Sequence, residues 1–155
     1  MLFVAWALIM GGLYWYFSDR QAQDNNPNAA RVLNAQSGEV RLLRNRAGHY
    51  VADGEINGRR VTFLLDTGAT SVALPLALGR ELGLKRGAAI TLMTANGPAT
   101  GYETRLSRVK LGGIELADVA AVMSDGLSSD AVLLGMSFLK RVEFTQRGDE
   151  LILRQ

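Results

Sequence analysis

The stretch Val61–Pro75, VTFLLDTGATSVALP, carries a carboxylate at the point where an apolar run ends. The run Phe63–Leu65 directly precedes Asp66, and apolar residues without polar alternation are typical of a strand that is buried on both faces. A carboxylate at the end of such a strand costs free energy unless it is paired or hydrogen-bonded. Two interpretations are open from these residues alone: Asp66 caps a local turn, or it performs chemistry together with a second acid.

The composition excludes several kinds of site. The chain has 155 residues, enough for one domain, and its 48 % hydrophobic and 21 % charged content is typical of a globular protein. It has no cysteine, which excludes disulfides, thiolate metal sites and a cysteine nucleophile. The single histidine, His49, is too little for a His-rich metal site, and we interpret it as a surface residue. A net charge of +2 with scattered basic residues predicts no nucleic-acid binding.

The N-terminal segment is apolar. Residues 2–17, LFVAWALIMGGLYWYF, contain no charge and would form a helix about 24 Å long, somewhat short of the roughly 30 Å of a bilayer core. Aromatic residues at 14–16 stand where an interfacial belt would lie. The pattern predicts a transmembrane anchor over residues 1–18. A cleaved signal peptide is the alternative, although no basic residue precedes the apolar run and no clear cleavage site follows it.

The rest of the chain divides into a linker and a domain. Residues 19–37 are polar and rich in Asn and Gln, which is typical of a linker. Residues 38–155 consist of short apolar runs that glycines separate, with hairpin turns expected at Asn57-Gly58 and Gly112-Gly113. One short helix is expected in the segment 75–84, PLALGRELGL. The pattern predicts an all-β fold, a closed barrel with one short helix.

Three motifs, in order along the domain, resemble those of a known family. FLLDTGATSVAL resembles the active-site strand and loop of aspartic proteases. VLLGMSF resembles the apolar pair and glycine that lie beneath this loop, and TLMTANGPATGY stands between them, where the family has a flexible hairpin called the flap. The domain is similar to the retropepsin-like aspartic proteases, and more closely to their bacterial, membrane-anchored, single-domain group.

The resemblance implies a role for each residue of the loop. Asp66 would be the catalytic acid, and the Thr67 hydroxyl would hydrogen-bond across a dimer. Gly68 would permit the sharp turn and offer a backbone N–H to the carboxylate. Ala69 and Thr70 would complete the support of the loop.

Two further sets of residues follow from the same resemblance. The flap tip and its contacts with substrate would comprise Ala95, Asn96, Gly97 and Pro98. The structural support beneath the active site would comprise Leu133, Leu134 and Gly135. In the second set, Gly135 would permit a close approach of two backbones.

The single copy of the motif predicts a homodimer. Aspartic protease chemistry needs one ionised and one protonated carboxylate at the same water, and the chain contains one Asp-Thr-Gly. A two-fold axis would bring Asp66 of each copy together. The hypothesis is therefore an aspartic endopeptidase that acts on polypeptides without metal or cofactor. The resemblance adds a location, in which residues 2–17 hold the domain on the periplasmic side of an inner membrane. Arg20, which follows the apolar run, taken alone favours a cytoplasmic domain.

Two other hypotheses stay open at this point. A catalytically silent retropepsin-like domain could serve as a dimerisation or peptide-binding module. A barrel that does not dimerise could tether a partner at the membrane. The intact Asp66-Thr67-Gly68 favours the enzyme, because a binding module does not need a carboxylate at this position.

Overall fold

The computed structural model describes residues 2–32, 38–94, 97–127 and 131–155. Over these residues the helices are α1 (Leu2–Asn25), α2 (Ala29–Val32), α3 (Leu76–Glu81) and α4 (Met136–Leu139). The strands are β1 (Glu39–Leu43), β2 (Val51–Ile56), β3 (Arg59–Leu65), β4 (Val72–Pro75), β5 (Ala89–Thr94), β6 (Gly97–Leu111), β7 (Ile114–Ser124), β8 (Ala131–Leu134), β9 (Glu143–Arg147) and β10 (Glu150–Arg154).

Seven strands form a sheet that closes on itself. Their order is β2-β3-β8-β4-β7-β6-β5, and an additional pairing of β2 with β6 joins the ring, with Ile56 opposite Val109. Strand β5 lies outside the ring, paired with β6 alone among the described strands. The prediction of an all-β barrel is confirmed. Its interior is filled by apolar side chains that are fully buried, including Phe63, Leu74, Leu106, Ile114, Val119 and Leu134.

Local turn chemistry produces the hairpins. Asn57 and Gly58 both have positive φ, 51° and 85°, as a two-residue turn between antiparallel strands requires, and they join β2 to β3. Leu111 pairs with Ile114 across the second predicted turn. Gly83, with φ of 66°, follows the predicted short helix α3. The sequence analysis predicted one short helix in the domain, but the structure contains more. Helix α4 forms directly after β8, and its Leu139 N–H donates to the Gly135 carbonyl.

Parallel pairing places two of the motifs singled out in the sequence side by side. Strand β3 runs parallel to β8, with Leu65 opposite Leu134, and β4 runs parallel to β7. Strand β8 also contacts β4, where Ala73 faces Leu133. The loop that follows β3 and the glycine that follows β8 therefore leave the sheet at the same edge.

A second, three-stranded sheet brings together the two ends of the domain, in the order β1-β10-β9. One face packs on the core through Val40, Leu42, Leu151 and Leu153. On the other face, Glu39 accepts hydrogen bonds from Arg154 at 2.6 Å and from Arg41 at 2.7 Å. These two guanidinium groups, Arg154 first, lower the pKa of the Glu39 carboxyl below its usual value.

The N-terminal region differs from its sequence interpretation. Helix α1 continues through the polar residues 19–25, which were interpreted as linker. Among the described residues, no helix combines the length and apolar character needed to cross a bilayer, so the predicted transmembrane anchor has no support. Exposed large side chains of α1 are Met10, Leu13, Tyr14 and Trp15.

Part of the predicted linker packs against the domain. Asn28 is fully buried, and its side chain donates to the carbonyls of Leu43 and Val51 and accepts from the Leu43 N–H, at 2.7–2.9 Å. Val32 in α2 is also buried in the core. A short polar side chain satisfies these strand-end groups well, so a segment with the composition of a linker belongs to the fold. The domain boundaries at 18 and 37 stay predictions.

Candidate active site

Asp66 stands at the point where β3 leaves the sheet. Its N–H donates to the Leu134 carbonyl at 3.2 Å, which continues the pairing of β3 with β8 for one more residue. Its side chain is half-buried, and Oδ1 accepts a hydrogen bond from the Gly68 N–H at 2.8 Å. The Ala69 N–H donates to the Asp66 carbonyl at 3.3 Å and closes the turn. The carboxylate therefore organises its own turn through one oxygen and retains hydrogen-bonding capacity on the other.

The loop after Asp66 is held from below. The Met136 N–H donates to the Ala69 carbonyl at 2.8 Å, and the Ser137 N–H donates to the Thr70 carbonyl at 3.0 Å. Thr67, Gly68 and Thr70 are exposed, and Ala69 is half-buried. Two backbone hydrogen bonds from the first turn of α4 thus fix the loop, while its upper side faces solvent.

The predicted support residues lie where the loop needs them. Gly135 is buried, and a Cβ on it would stand 2.6 Å from the Ala69 carbonyl oxygen and closer still to that of Ser71. Leu134 is fully buried, whereas Leu133 is half-buried and reaches the cleft above. The structure brings these three residues together with the Asp66 loop.

Ser137 is a support residue that the sequence analysis did not identify. Its hydroxyl donates to the Ala120 carbonyl at 2.7 Å and accepts from the Val72 N–H at 2.9 Å. It therefore joins α4 to β7 and to the first residue of β4. The only sequence signal is a small polar residue within the apolar run VLLGMSFL, and this signal does not reveal which backbone groups the hydroxyl meets.

The predicted flap is a hairpin formed by β5 and the start of β6. Met93 pairs with Pro98 and Thr94 with Gly97, while the Thr94 hydroxyl donates to the Gly97 carbonyl at 2.7 Å. Ala95 and Asn96, the other two predicted tip residues, lie outside the described residues. The cleft is lined by β5 from Ile90 to Thr94, and of these residues only Ile90 lies outside the segment TLMTANGPATGY that predicted the flap.

Asp66 and the β5 hairpin line one open cleft of about 1560 Å³. This exceeds the roughly 300–1,000 Å³ of a small-molecule pocket and suits a longer, extended ligand. Apolar lining comes from Leu92, Met93, Val122 and Leu133. The described residues contain no cluster of His, Asp and Glu that could hold a metal ion.

Charged groups occupy the walls of the cleft. Lys85, Arg86 and Glu103 are exposed there, and the Arg86 guanidinium lies 4.8 Å from the centre of the Tyr102 ring. Arg105 also lines the cleft and binds Asp118 at 2.5 and 2.7 Å, which lowers the pKa of the Asp118 carboxyl. Among the described residues, Asp66 is the acid that a hydrogen-bonded turn presents to the cleft.

Two curated relatives extend over most of the chain. An uncharacterised protein of Sinorhizobium sp, from the cobV 5′ region, is 32 % identical over 99 % of this chain and 70 % of its own length. An uncharacterised protein of Rickettsia prowazekii (strain Madrid E) is 29 % identical over 75 % of this chain and 51 % of its own length. The second relative is therefore about twice as long as the region that it shares.

Solved structures and a family match agree on the fold. A retropepsin-like aspartic protease from Rickettsia conorii is 34 % identical, covering 76 % of this chain and all of that one, with a TM-score of 0.63. The EIAV protease in complex with the inhibitor HBY-793 shares the fold at 22 % identity, over 63 % of this chain and 90 % of that one, with a TM-score of 0.50. Residues 52–141 match the family described as "gag-polyprotein putative aspartyl protease". The chain therefore belongs to this family and is a member of the retropepsin-like aspartic proteases.

Proposed function

We propose that the chain is an aspartic endopeptidase that is active as a homodimer. The observation that supports this most is the geometry of Asp66. Its side chain accepts a hydrogen bond from the Gly68 N–H, its loop is bonded to α4, and it lies at the wall of a long cleft. The motif occurs once in the chain, so the pair of carboxylates needs two copies. Family membership agrees with this reading.

The reaction uses the two Asp66 carboxyl groups in different protonation states. The ionised one takes a proton from a water molecule, whose oxygen attacks the peptide carbonyl carbon. The protonated one donates a hydrogen bond to the carbonyl oxygen and stabilises the tetrahedral intermediate. A proton then passes to the leaving nitrogen, and the C–N bond breaks.

The cleft suggests how a polypeptide binds. Strand β5 pairs on one side with β6 and lies at the end of the strand order, so its outer edge offers backbone groups to a strand. An extended peptide would add to that edge, with backbone hydrogen bonds that do not depend on sequence. Alternate side chains would then contact the apolar lining near Leu92 and Leu133.

Asp66→Asn in the full chain tests the proposal. The change keeps the shape of the side chain but removes the base, and we expect peptidase activity on a peptide library to fall by about 10³-fold or more. Glu103→Gln is the matched control, because Glu103 is another acid that lines the cleft, and it should keep its activity. Equal cleavage by Asp66→Asn and wild type would refute the proposal. Wild type that binds but never cleaves would favour the silent binding module.

The location of the domain stays a prediction from residues 2–17. A reporter fused to the C-terminus, active only in the periplasm, would test whether the domain reaches that compartment. Fractionation of the same cells would test whether the chain sediments with the inner membrane.

A further inference from the structure

Two adjacent basic residues lie in a loop that is fixed at both ends. Lys85 and Arg86 belong to the segment that joins α3 to β5, and both are exposed and line the cleft. Before them, Leu84 packs against the hydrophobic core. After them, the Gly87 N–H donates to the Glu103 carbonyl of β6 at 2.7 Å. The backbone that carries the two positive charges is therefore anchored on either side.

The second anchor holds this loop close to β6. A Cβ on Gly87 would stand 2.8 Å from the Glu103 carbonyl oxygen, so only a glycine fits there without a shift of the backbone. The Glu103 N–H in turn donates to the Ala88 carbonyl at 3.0 Å. The loop therefore extends the contact between β5 and β6 and forms a fixed part of the cleft wall.

The guanidinium of Arg86 is held against an aromatic ring. It lies 4.8 Å from the centre of the Tyr102 ring, and Tyr102 is half-buried and packs against the core. Contact with a ring leaves the N–H donors of a guanidinium available to a carboxylate, which can accept two of them. Because the side chain is already positioned, it loses less conformational entropy when an anion binds.

These two cations have no acidic partner within the described part of the chain. The ion pairs found there involve other arginines. Arg105, another basic residue that lines the cleft, is bound to Asp118 and is compensated by it. Lys85 and Arg86 thus present two unpaired positive charges to the ligand that occupies the cleft.

We propose that Lys85 and Arg86 select polypeptide substrates that carry an acidic side chain at one fixed position relative to the scissile bond. The inference rests on the proposed function and specifies its substrate class. A peptide that lies along β5 reaches this loop, because β5 begins three residues after Arg86 and its six residues span about 20 Å. Strand pairing fixes the register of the peptide, so the charge is recognised at one position rather than along the whole segment.

Glu103 raises the opposite alternative, a preference for basic side chains. It is exposed and lines the same cleft. It is, however, one acid beside two cations, and among the described residues no hydrogen bond or ion pair holds its carboxylate in place. Arg86, in contrast, is held by the Tyr102 ring. The positioned cation and its neighbour Lys85 therefore favour an acidic partner over a basic one.

Cleavage of a peptide library by the full chain tests this selection. The peptides have amidated C-termini, so that every carboxylate belongs to a side chain, and mass spectrometry aligns the products on the cleaved bond. Wild type should cleave peptides with Asp or Glu at one position with a kcat/KM about fivefold above that of their Asn or Gln counterparts, which is the effect of one exposed ion pair. In Lys85→Gln and in Arg86→Gln this advantage should shrink. No acidic preference in wild type, or a full preference in either variant, would overturn the proposal.

A matched control and a charge reversal separate local recognition from the overall charge of the protein. Arg80→Gln removes the same charge from an exposed residue of α3 that does not line the cleft, and it should keep the acidic preference. The double variant Lys85→Glu/Arg86→Glu should instead favour Lys or Arg at the same position, a gain that a damaged fold cannot produce. An equal loss of preference in Arg80→Gln, or a double variant that still favours acids, contradicts the selection.

A binding measurement separates this inference from the proposed function. By fluorescence anisotropy, full-length Asp66→Asn should bind a labelled, amidated peptide of leucine and alanine with one glutamate about fivefold more tightly than the same peptide with glutamine. Asp66→Asn/Arg86→Gln should lose part of this difference. Equal binding of the two peptides, or binding of neither, would overturn the selection.

The two proposals can therefore fail separately. Cleavage of peptides without any acidic preference would refute the selection and leave the peptidase standing. Acid-selective binding that depends on Arg86, in a chain that cleaves nothing, would support the selection and refute the peptidase.

Discussion

Gly135 lies directly beneath Ala69, so that a Cβ on Gly135 would stand 2.6 Å from the Ala69 carbonyl oxygen. The φ of Gly135 is −87°, which other residues adopt freely, so the glycine is required by space rather than by backbone conformation. The contact joins the end of β8 to the Asp66 loop, because the same Ala69 carbonyl accepts the Met136 N–H.

Gly135→Ala should therefore damage the active-site loop. The added methyl group meets backbone atoms of Ala69 and Ser71, which cannot rotate away, and we expect a loss of about 1–3 kcal/mol in unfolding free energy. Peptidase activity should fall with it. The control is Gly12→Ala, because a Cβ there meets nothing within 4 Å. Denaturant unfolding of both variants checks the prediction, and an unchanged midpoint for Gly135→Ala would contradict it.

Ser137→Ala should weaken the contacts that hold α4 against β4 and β7. The change leaves the Val72 N–H and the Ala120 carbonyl without their buried partner, at a cost of about 1–3 kcal/mol. Ser107→Ala is the control, since Ser107 is exposed on β6. The two melting temperatures should differ clearly, and the turnover of the Ser137 variant should fall. Equal melting temperatures would show that the hydroxyl does not hold α4 in place.

Asn28→Ala should destabilise the whole domain, although residue 28 lies in a segment with the composition of a linker. Three backbone groups of Leu43 and Val51 lose their partner, and we expect about 2–4 kcal/mol of destabilisation. Asn26→Ala is the comparison, because the half-buried Asn26 side chain makes fewer such contacts: it donates to Asp53 at 2.9 Å and accepts from the Asn28 N–H at 3.2 Å, so the loss should be smaller. Thermal unfolding of both variants is the measurement. If Asn28→Ala unfolds at the same temperature as Asn26→Ala or at a higher one, the structural role of the buried Asn28 side chain is contradicted.

The terminal sheet should lose stability in acid through Glu39. The hydrogen-bonded guanidinium groups of Arg154 and Arg41 lower the pKa of this carboxyl below 4.5, so its contribution is present at neutral pH and is lost as the pH falls through the lowered pKa. In Glu39→Gln the decline of the melting temperature between pH 6 and pH 3 should be shallower than in wild type. Glu115→Gln, which contacts a single arginine at 4.0 Å, is the control. Identical pH profiles for wild type and Glu39→Gln would refute this role.

Met93→Ser should affect substrate use but not folding. Met93 is 82 % exposed on β5 and lines the cleft, so its thioether side chain is available to a bound peptide. Loss of that apolar contact should lower kcat/KM for peptides with large apolar side chains about tenfold, while the unfolding free energy changes by less than about 0.5 kcal/mol. Met10→Ser, exposed on α1 outside the cleft, should leave both quantities unchanged. A normal kcat/KM for Met93→Ser would show that this part of β5 does not contact substrate.

The parts of the fold that the sequence predicts are those with local causes. Asn57-Gly58 reads as a hairpin because both residues tolerate the positive φ that the turn requires. The run Phe63–Leu65 reads as a buried strand because it lacks polar alternation. The closure of the barrel through Ile56 and Val109 has no such local signal, since it depends on the sum of all the strand pairings around the ring.

The residues whose structural roles the sequence analysis did not identify are polar residues that bind partners remote in sequence. Asn28 and Ser137 look like a linker residue and an incidental serine, because their hydrogen bonds join elements that are remote in sequence. Residues 2–17 are a different case: their uncharged run predicted a membrane span, which has no support among the described residues, and helix α1 continues through polar residues to Asn25. The Asp-Thr-Gly motif was easier to find because its three residues are consecutive in the sequence.

The pairing of β1 with β10 also has a kinetic consequence. The hydrogen bond from Arg154 to Glu39 joins residues 115 positions apart, so the three-stranded sheet closes the longest loop of the domain. Contacts of such long range form late in folding, after the hairpins of the barrel. Strands β9 and β10 form a local hairpin, so β1 is the strand of this sheet that must wait for a partner remote in sequence. Because β1 is synthesised before β10, its edge cannot pair with β10 until the rest of the domain has been made, and during synthesis it is open to pairing with other chains.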